Sequence, residues 1–316
     1  MPLKHTFREK PYYDLTSYLE ETYHKKLYKA AIDGGFTCPV RDGAIDTRGC
    51  IFCSAKGSGD FAVSRFPDKT VTMQIDEAIA RLSAKPADGY IAYFQSFTNT
   101  YAAPEVCRAL YLEALSHEAV CGISIATRPD CLPDEIMDVL SQCHLAYPDK
   151  FIWIELGLQT MHSKTAAYIR RGYDLSVMTQ ACRKLSSIDI PVIVHIIIGL
   201  PGESQQMLLE TIDYVNSLPV CGIKLQLLHV LQGTDLAKDY MAGTFEVLSQ
   251  ETYIDLLISC IEHLRSDIVI HRVTGDGPKD ITIAPTWSFH KRAVLNALHK
   301  EMKRRGSYQG KALICP

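Results

Sequence analysis

Apolar positions along this chain switch repeatedly between helical spacing and short, nearly continuous runs, and that switching predicts the architecture. Residues 12–24 (YYDLTSYLEETYH) carry aromatic and aliphatic side chains at helical spacing, followed by Lys25 and Lys26, where cations complement a helix C-terminus. The run 27–32 (LYKAAI) then reads as a first strand. Helices are expected over 75–84, 104–118, 133–143, 174–187 and 203–217, and strands over 90–94, 122–127, 151–156, 192–198 and 222–229. Six strands separated by helices predict a parallel sheet with right-handed crossovers. Such a series either closes part-way into a barrel or stays open as a doubly wound sheet, and periodicity does not choose between them. After His229 the pattern changes to a helix over 249–265, a strand over 267–273, a loop through Gly275 and Gly277, and a last helix over 287–305. The expected organisation is an N-terminal helical segment (1–26), an α/β body (27–232) and a C-terminal extension (233–316) packed on the open side.

Composition narrows the class. The longest apolar runs, such as 192–200, fall far short of the roughly 18 residues a membrane span requires, and the first eight residues (MPLKHTFR) lack the apolar core of a signal peptide. A cytoplasmic protein is expected. Eleven cysteines, an odd number, favour reduced thiols over a disulfide framework. The net charge of −3 gives no global reason to expect nucleic acid, but residues 286–316 hold seven Lys or Arg (291, 292, 300, 303, 304, 305, 311) against one acid, Glu301. That tail is a candidate phosphate-contacting surface, or the solvated face of an amphipathic helix.

The chemistry is concentrated in Thr37-Cys38-Pro39 and the stretch up to Gly49-Cys50-Ile51-Phe52-Cys53. Cys50 and Cys53 have the two-residue gap that turns both sulfurs toward one metal centre, and Cys38 returns to them across eleven residues containing Gly43 and Gly49. Lengthening a gap from three residues to eleven adds only about 1 kcal/mol of loop-closure cost, which metal–thiolate bonding outweighs. A closed zinc site or a fully protein-held cluster takes four ligands, and no other cysteine pair in the chain has this spacing. Three thiols with Phe52 before the last suggest a [4Fe–4S] cluster with one iron open. The rival from another class is a non-catalytic zinc-binding adaptor with His24 or His229 as fourth ligand.

With this loop the chain resembles the radical S-adenosylmethionine (SAM) superfamily. Most members space their cysteines by three and two residues. The eleven-and-two spacing here, with Gly34-Gly35-Phe36-Thr37-Cys38-Pro39, is similar to the YhcC/YtqA group, related to the Elongator complex protein 3 branch and the coproporphyrinogen-oxidising branch; the likeness runs over about 28–287. It implies an α/β fold, a partial (β/α)6 barrel with a C-terminal α/β extension, and ligands gathered at the C-terminal ends of the strands. It also implies an enzyme in which Cys38, Cys50 and Cys53 hold the cluster and SAM takes the open iron beside Phe52. Gln95 and Ser96 stand where many relatives have a glycine pair for the methionine amino group. Thr127 follows Ala126, which replaces a glutamate of the related ETRPD segment. Gln159, in a match to ELGVQS, is expected at the ribose, and Arg171, twelve residues on, at the SAM carboxylate, where a guanidinium grips with two parallel hydrogen bonds. His195 is expected near the ribose, although a lone histidine in a β-branched run is usually a core residue. Ile197 is expected against the adenine, and backbone groups of Leu228 and His229 at its edge.

Resemblance to the YtqA subgroup, the MnmL type, further implies tRNA wobble-uridine modification, converting 5-carboxymethylaminomethyluridine to 5-aminomethyluridine, with an electron donor such as flavodoxin or ferredoxin. A rival within the class acts on a small metabolite or a tetrapyrrole. His271, Arg272, Asp276 and Trp287 are candidate substrate contacts from the extension.

Overall fold

The computed structural model describes residues 10–65, 68–84, 86–275 and 277–313; Asp276, Cys315 and the first eight residues lie outside them. The strands are β1 (Leu27–Ile32), β2 (Gly89–Phe94), β3 (Val120–Thr127), β4 (Phe151–Gln159), β5 (Val192–Ile198), β6 (Gly222–Leu227), β7 (Val230–Leu231), β8 (Val269–Arg272) and β9 (Thr282–Ala284). All six strands expected of the barrel form, and β1 to β6 pair in chain order, each parallel to the next. The extension supplies a seventh strand, β8, parallel to β6 at the open edge. Short apolar runs rich in β-branched residues suit a sheet covered on both faces. The sheet is a partial α/β barrel with its helices outside.

The outer face of the sheet packs on these helices in one large core, around Phe94, Ile125, Ile154, Val194, Ile198 and Leu225. Inward positions recur every second residue and form levels. The lowest is apolar: Leu27, Ile91, Phe151, Trp153 and Ile193 pack against Leu19, Tyr18 and Tyr23 of the N-terminal helix. That helix, Leu15–Tyr23, is capped by the Asp14 side chain on the Ser17 N–H and closes this end of the barrel. The next level is charged, and the uppermost opens into a cavity.

Differences from the periodicity are local. Two short helices, Ser163–Tyr168 and Asp235–Met241, and an antiparallel pair, β7 with β9, form where the pattern predicts none, because each is too short to show a period. The last helix runs from Lys291 to Arg305, preceded by a 3-10 turn over Thr286–Phe289. Among the described residues no helix is long and apolar enough to cross a membrane.

Candidate active site

At the C-terminal ends of the strands a cavity of about 500 Å³ is lined by Cys38, Cys50, Phe52 and Cys53 on the loop side and by residues of β1 to β6 and β8 on the other. The loop is braced from within. Arg41 donates to the carbonyls of Cys53 (2.9 Å) and Ser54 (2.6 Å), tying the Cys38 arm to the Cys53 arm. The Cys53 N–H donates to the Cys50 carbonyl (3.0 Å), and Gly49 to that of Val40 (2.6 Å). Gly49 has φ +73°, and a Cβ there would stand 2.8 Å from Arg41 Nε, so a side chain would strain the backbone and displace the brace together. Burial and the neighbouring Cys53 push the Cys50 thiol up to about 12, and burial also raises Cys53. Such thiols release their protons to a metal, not to bulk water.

The donor set fits a cluster better than a single ion. Among the described residues no three His, Cys, Asp or Glu side chains are arranged to hold one metal ion. A four-iron cluster takes each thiolate on a different iron, so its ligands ring a space and do not meet at a point. The zinc alternative loses both proposed fourth ligands. His24 is exposed at the end of the N-terminal helix, ahead of β1, and so lies a strand length of about 20 Å from the loop that follows β1. His229 has Nδ1 at 3.1 Å from the Leu227 carbonyl and Nε2 at 3.0 Å from the Ser288 hydroxyl.

Nine of the ten expected cofactor contacts line the cavity: Phe52, Gln95, Thr127, Gln159, Arg171, His195, Ile197, Leu228 and His229. Ser96 does not; it is buried with its hydroxyl against Gly59. Gln159, at φ +66°, has a buried amide oxygen without a hydrogen-bond partner, a vacancy that fits a hydroxyl donor such as a ribose. Gln95 donates its amide to the Ser58 carbonyl (2.7 Å). Thr100 donates to the Cys131 carbonyl (2.5 Å) and accepts from Thr127 (2.6 Å), so the Thr127 hydroxyl is already engaged. The Leu228 N–H donates to the Ile198 carbonyl (3.0 Å), leaving its carbonyl as the group available to a ligand.

Two expected roles need correction. Arg171 is 3% exposed, and its guanidinium donates to the carbonyls of Leu158 (3.2 Å), Thr160 (2.5 Å) and Tyr173 (3.0 Å from one terminal nitrogen, 3.3 Å from Nε) while lying 4.5 Å from the Tyr173 ring centroid. Four of its five N–H groups go to backbone carbonyls, so a two-pronged grip on a carboxylate is not open to it; Arg171 clamps the end of β4 to the following turn. His195 is held from below: Nε2–H donates to Glu155 (2.7 Å) and Nδ1 accepts from Gln226 (3.2 Å), which leaves no ring nitrogen for a ribose. Of the described candidates from the extension, Trp287 donates to the Leu248 carbonyl (3.0 Å) and packs on Tyr253, His271 packs edge-on against Trp153 in the apolar level, and Arg272 lines the cavity.

The charged level is what the sequence reading missed. Glu155, with no exposed side-chain surface, accepts from Lys29, Lys224, His195 and Ser124 (2.6 Å). Lys224 also donates to the Tyr93 hydroxyl (3.1 Å), and both ammonium groups lie over the Tyr93 ring, 4.4 and 4.6 Å from its centroid. Burial pulls the Glu155 carboxyl up, but Lys224, Lys29 and the His195 N–H outweigh it and hold it well below the usual carboxylate range. Burial, with Lys29 and Arg272 nearby, carries Lys224 well below an ordinary lysine despite Glu155. Burial and Lys224 bring His195 down to about 4, so its ring is neutral at pH 7. Lys29 in LYKAAI, Glu155 in FIWIELGL and Lys224 in GIKLQLL were the signal: a lone charge inside an apolar strand run is buried and must find a partner. Arg41 gave no such sign.

A family model described as "Radical SAM superfamily" matches residues 47–215, and one described as "Radical_SAM C-terminal domain" matches 220–304. The chain is 46% identical to YtqA of Bacillus subtilis (strain 168) over 98% of its own length and 95% of that protein's. It is 33% identical to YhcC of Escherichia coli (strain K12) over 94% of each. A tRNA uridine(34) acetyltransferase of Methanocaldococcus jannaschii is 22% identical over 54% of this chain and 31% of that one. Among solved structures, the archaeal Methanocaldococcus infernus Elp3 with an N-terminal deletion superposes with a TM-score of 0.63 at 16% identity, covering 76% of this chain and 60% of that chain, a likeness of fold.

Proposed function

The chain belongs to the radical SAM superfamily, and from that premise we propose that it is a tRNA-modifying enzyme acting on wobble uridine, converting the 5-carboxymethylaminomethyl form to the 5-aminomethyl form. The observation that carries the cofactor side is the set of three half-buried thiols lining one cavity, with no three metal-ligating side chains gathered round a single ion among the described residues. Cys38, Cys50 and Cys53 would hold a [4Fe–4S] cluster, SAM would lie across the strand ends, and a one-electron donor of the flavodoxin or ferredoxin kind would reduce the cluster. When bound, cluster and SAM would supply abstraction of a hydrogen atom from the substrate arm, SAM serving overall as the two-electron oxidant, so that water would release the two-carbon unit as glyoxylate and leave the amine. The protein's part is to place and to exclude. The unpartnered amide oxygen of Gln159 would take a ribose hydroxyl, Ile197 would pack on the adenine, and Phe52 would shield the metal edge.

Support for tRNA comes from the tRNA uridine(34) acetyltransferases among the relatives, and from the basic last helix. The test is mass spectrometry of tRNA nucleosides from a strain lacking the gene. Accumulation of the carboxymethylaminomethyl nucleoside with loss of the aminomethyl one is expected; an unchanged nucleoside profile overturns the tRNA reading.

A further inference from the structure

Lys29 and Lys224 each stand three residues before the end of their strands, so the charged level lies about 10 Å below the strand ends beyond which the cysteine loop begins. It is the floor of the same cavity: Lys29, Tyr93, Glu155, His195 and Lys224 all line it. In the level above, Ala31, Ala126 and Gly157 are small and stand beside Gln95, Ile197 and Gln226, and the cavity they line together continues past them down to the floor. At the floor two ammonium groups share one carboxylate, and the neutral His195 adds no charge. Lys29 has 18% of its side chain exposed, and Glu155 accounts for one of its three N–H donors, whereas Lys224 is 4% exposed and donates to both Glu155 and Tyr93.

We infer that this floor is a subsite for a carboxylate of the substrate, with Lys29 as the residue that meets it. The inference rests on the proposed reaction, whose substrate carries a carboxymethylamino arm. Lys29, Lys224 and Arg272 gather around the single carboxylate of Glu155, so the floor holds more basic groups than acids and attracts an anion. The passage admits a slender arm while a nucleobase stays above, so the CH₂ and N–H groups of the arm would lie between floor and strand ends, below the position expected for the SAM ribose. The floor would select substrate by charge, and the loop above would perform the chemistry.

The experiment compares two tRNAs, one bearing 5-carboxymethylaminomethyluridine and one in which that carboxylate is the neutral amide. The wild-type chain is expected to favour the carboxylate by about 10- to 100-fold in kcat/KM, the ordinary worth of a hydrogen bond to a charged group. Lys29→Gln is expected to erase the preference and Lys29→Arg to keep it; because the readout is a ratio within each variant, partial misfolding cancels. In parallel, without tRNA, N-methylglycine should raise the melting temperature of the wild-type chain and not that of Lys29→Gln, while its amide raises neither. Equal processing of both tRNAs by the wild type, or a preference that survives Lys29→Gln, overturns the subsite and leaves the tRNA reading standing. No turnover of either tRNA, with the N-methylglycine shift present and dependent on Lys29, overturns the tRNA reading and keeps the subsite. No turnover and no shift overturns both.

Discussion

The cysteine loop and the charged floor of the barrel are two ways of building one cavity. The loop gathers its three sulfurs from residues 38 to 53 and holds them with short-range backbone bonds and one arginine. The floor draws Lys29, Glu155 and Lys224 from β1, β4 and β6, partners 126 and 69 residues apart in sequence. A loop that is local in sequence can be changed without disturbing the sheet; an ion network that spans strands cannot. Chemistry and folding stability are therefore expected to separate between the two regions.

The largest separation is expected at the loop. Cys38→Ala should abolish deoxyadenosine formation under dithionite and lower iron content, with little change in the unfolding midpoint of the metal-free chain, since the Cys38 side chain makes no hydrogen bond in the loop and the backbone bonds at its carbonyl remain. Deoxyadenosine at the normal rate would refute the role given to the loop. At the floor the balance reverses. Glu155→Gln leaves two ammonium groups buried around a neutral amide, and breaking a buried ion pair from one side costs about 3–5 kcal/mol. Urea denaturation should register that loss; a midpoint within error of the wild type would mean that the floor is hydrated and weakly coupled.

The pH dependence of stability sharpens the same contrast. His195 falls to about 4 in the folded chain, below its unfolded value near 6.5, so between these values the unfolded chain binds more protons. Stability contributed by the neutral ring is present above pH 6.5 and is lost as pH falls toward 4, by an amount on the order of 3 kcal/mol. Glu155, depressed as well, extends the loss to lower pH, because its contribution is present above its unfolded value and disappears as pH falls through the folded one. Unfolding midpoints measured from pH 7 to 4 should slope downward, and His195→Gln should flatten that slope. An identical slope in the variant would assign it to other groups.

The same difference explains what could be read from sequence. Six strands were legible because each is an apolar run bounded by turn residues, and the loop because three thiols crowd one short stretch. Nine of ten candidate contacts line the cavity because strand ends point there in any parallel barrel. Their roles were less legible. Arg171 sits at the expected offset, yet the carbonyls that engage its fork belong to Leu158, Thr160 and Tyr173, and an offset does not report which backbone groups surround a side chain. His195 was placed at the right strand position, but its hydrogen bonds depend on Glu155 and Gln226 from the neighbouring strands. For His195 register decided, which period-2 patterns do not encode between strands; for Arg171 it was the path of the chain after β4, which folds local carbonyls around the guanidinium.

The smallest effect is expected far from either region, on the last helix. Val294, Leu298 and Met302 are its buried stripe, and Lys303, Arg304 and Arg305 lie on its exposed side and do not line the cavity. Arg304 pairs with Glu301 (2.6 Å), and Arg305 with Glu301 (2.6 Å) and Asp255, so two of the three charges are partly neutralised in place. Exposed pairs of this kind contribute roughly 0–1 kcal/mol, so reversing all three charges should shift the unfolding midpoint by that little and leave deoxyadenosine formation unaltered. For tRNA the arithmetic differs. If the backbone of the nucleic acid runs over this face, each lost phosphate contact flattens the salt dependence of binding by about 0.9 for duplex, and the residual attraction of Lys303, which has no such pairing among the described side chains, should dominate the change. Single reversal of Lys303 should then weaken tRNA binding more than single reversal of Arg304. Equal affinities for both variants and the wild type at low salt would move the tRNA to another face and leave the cavity as the sole point of contact argued from structure.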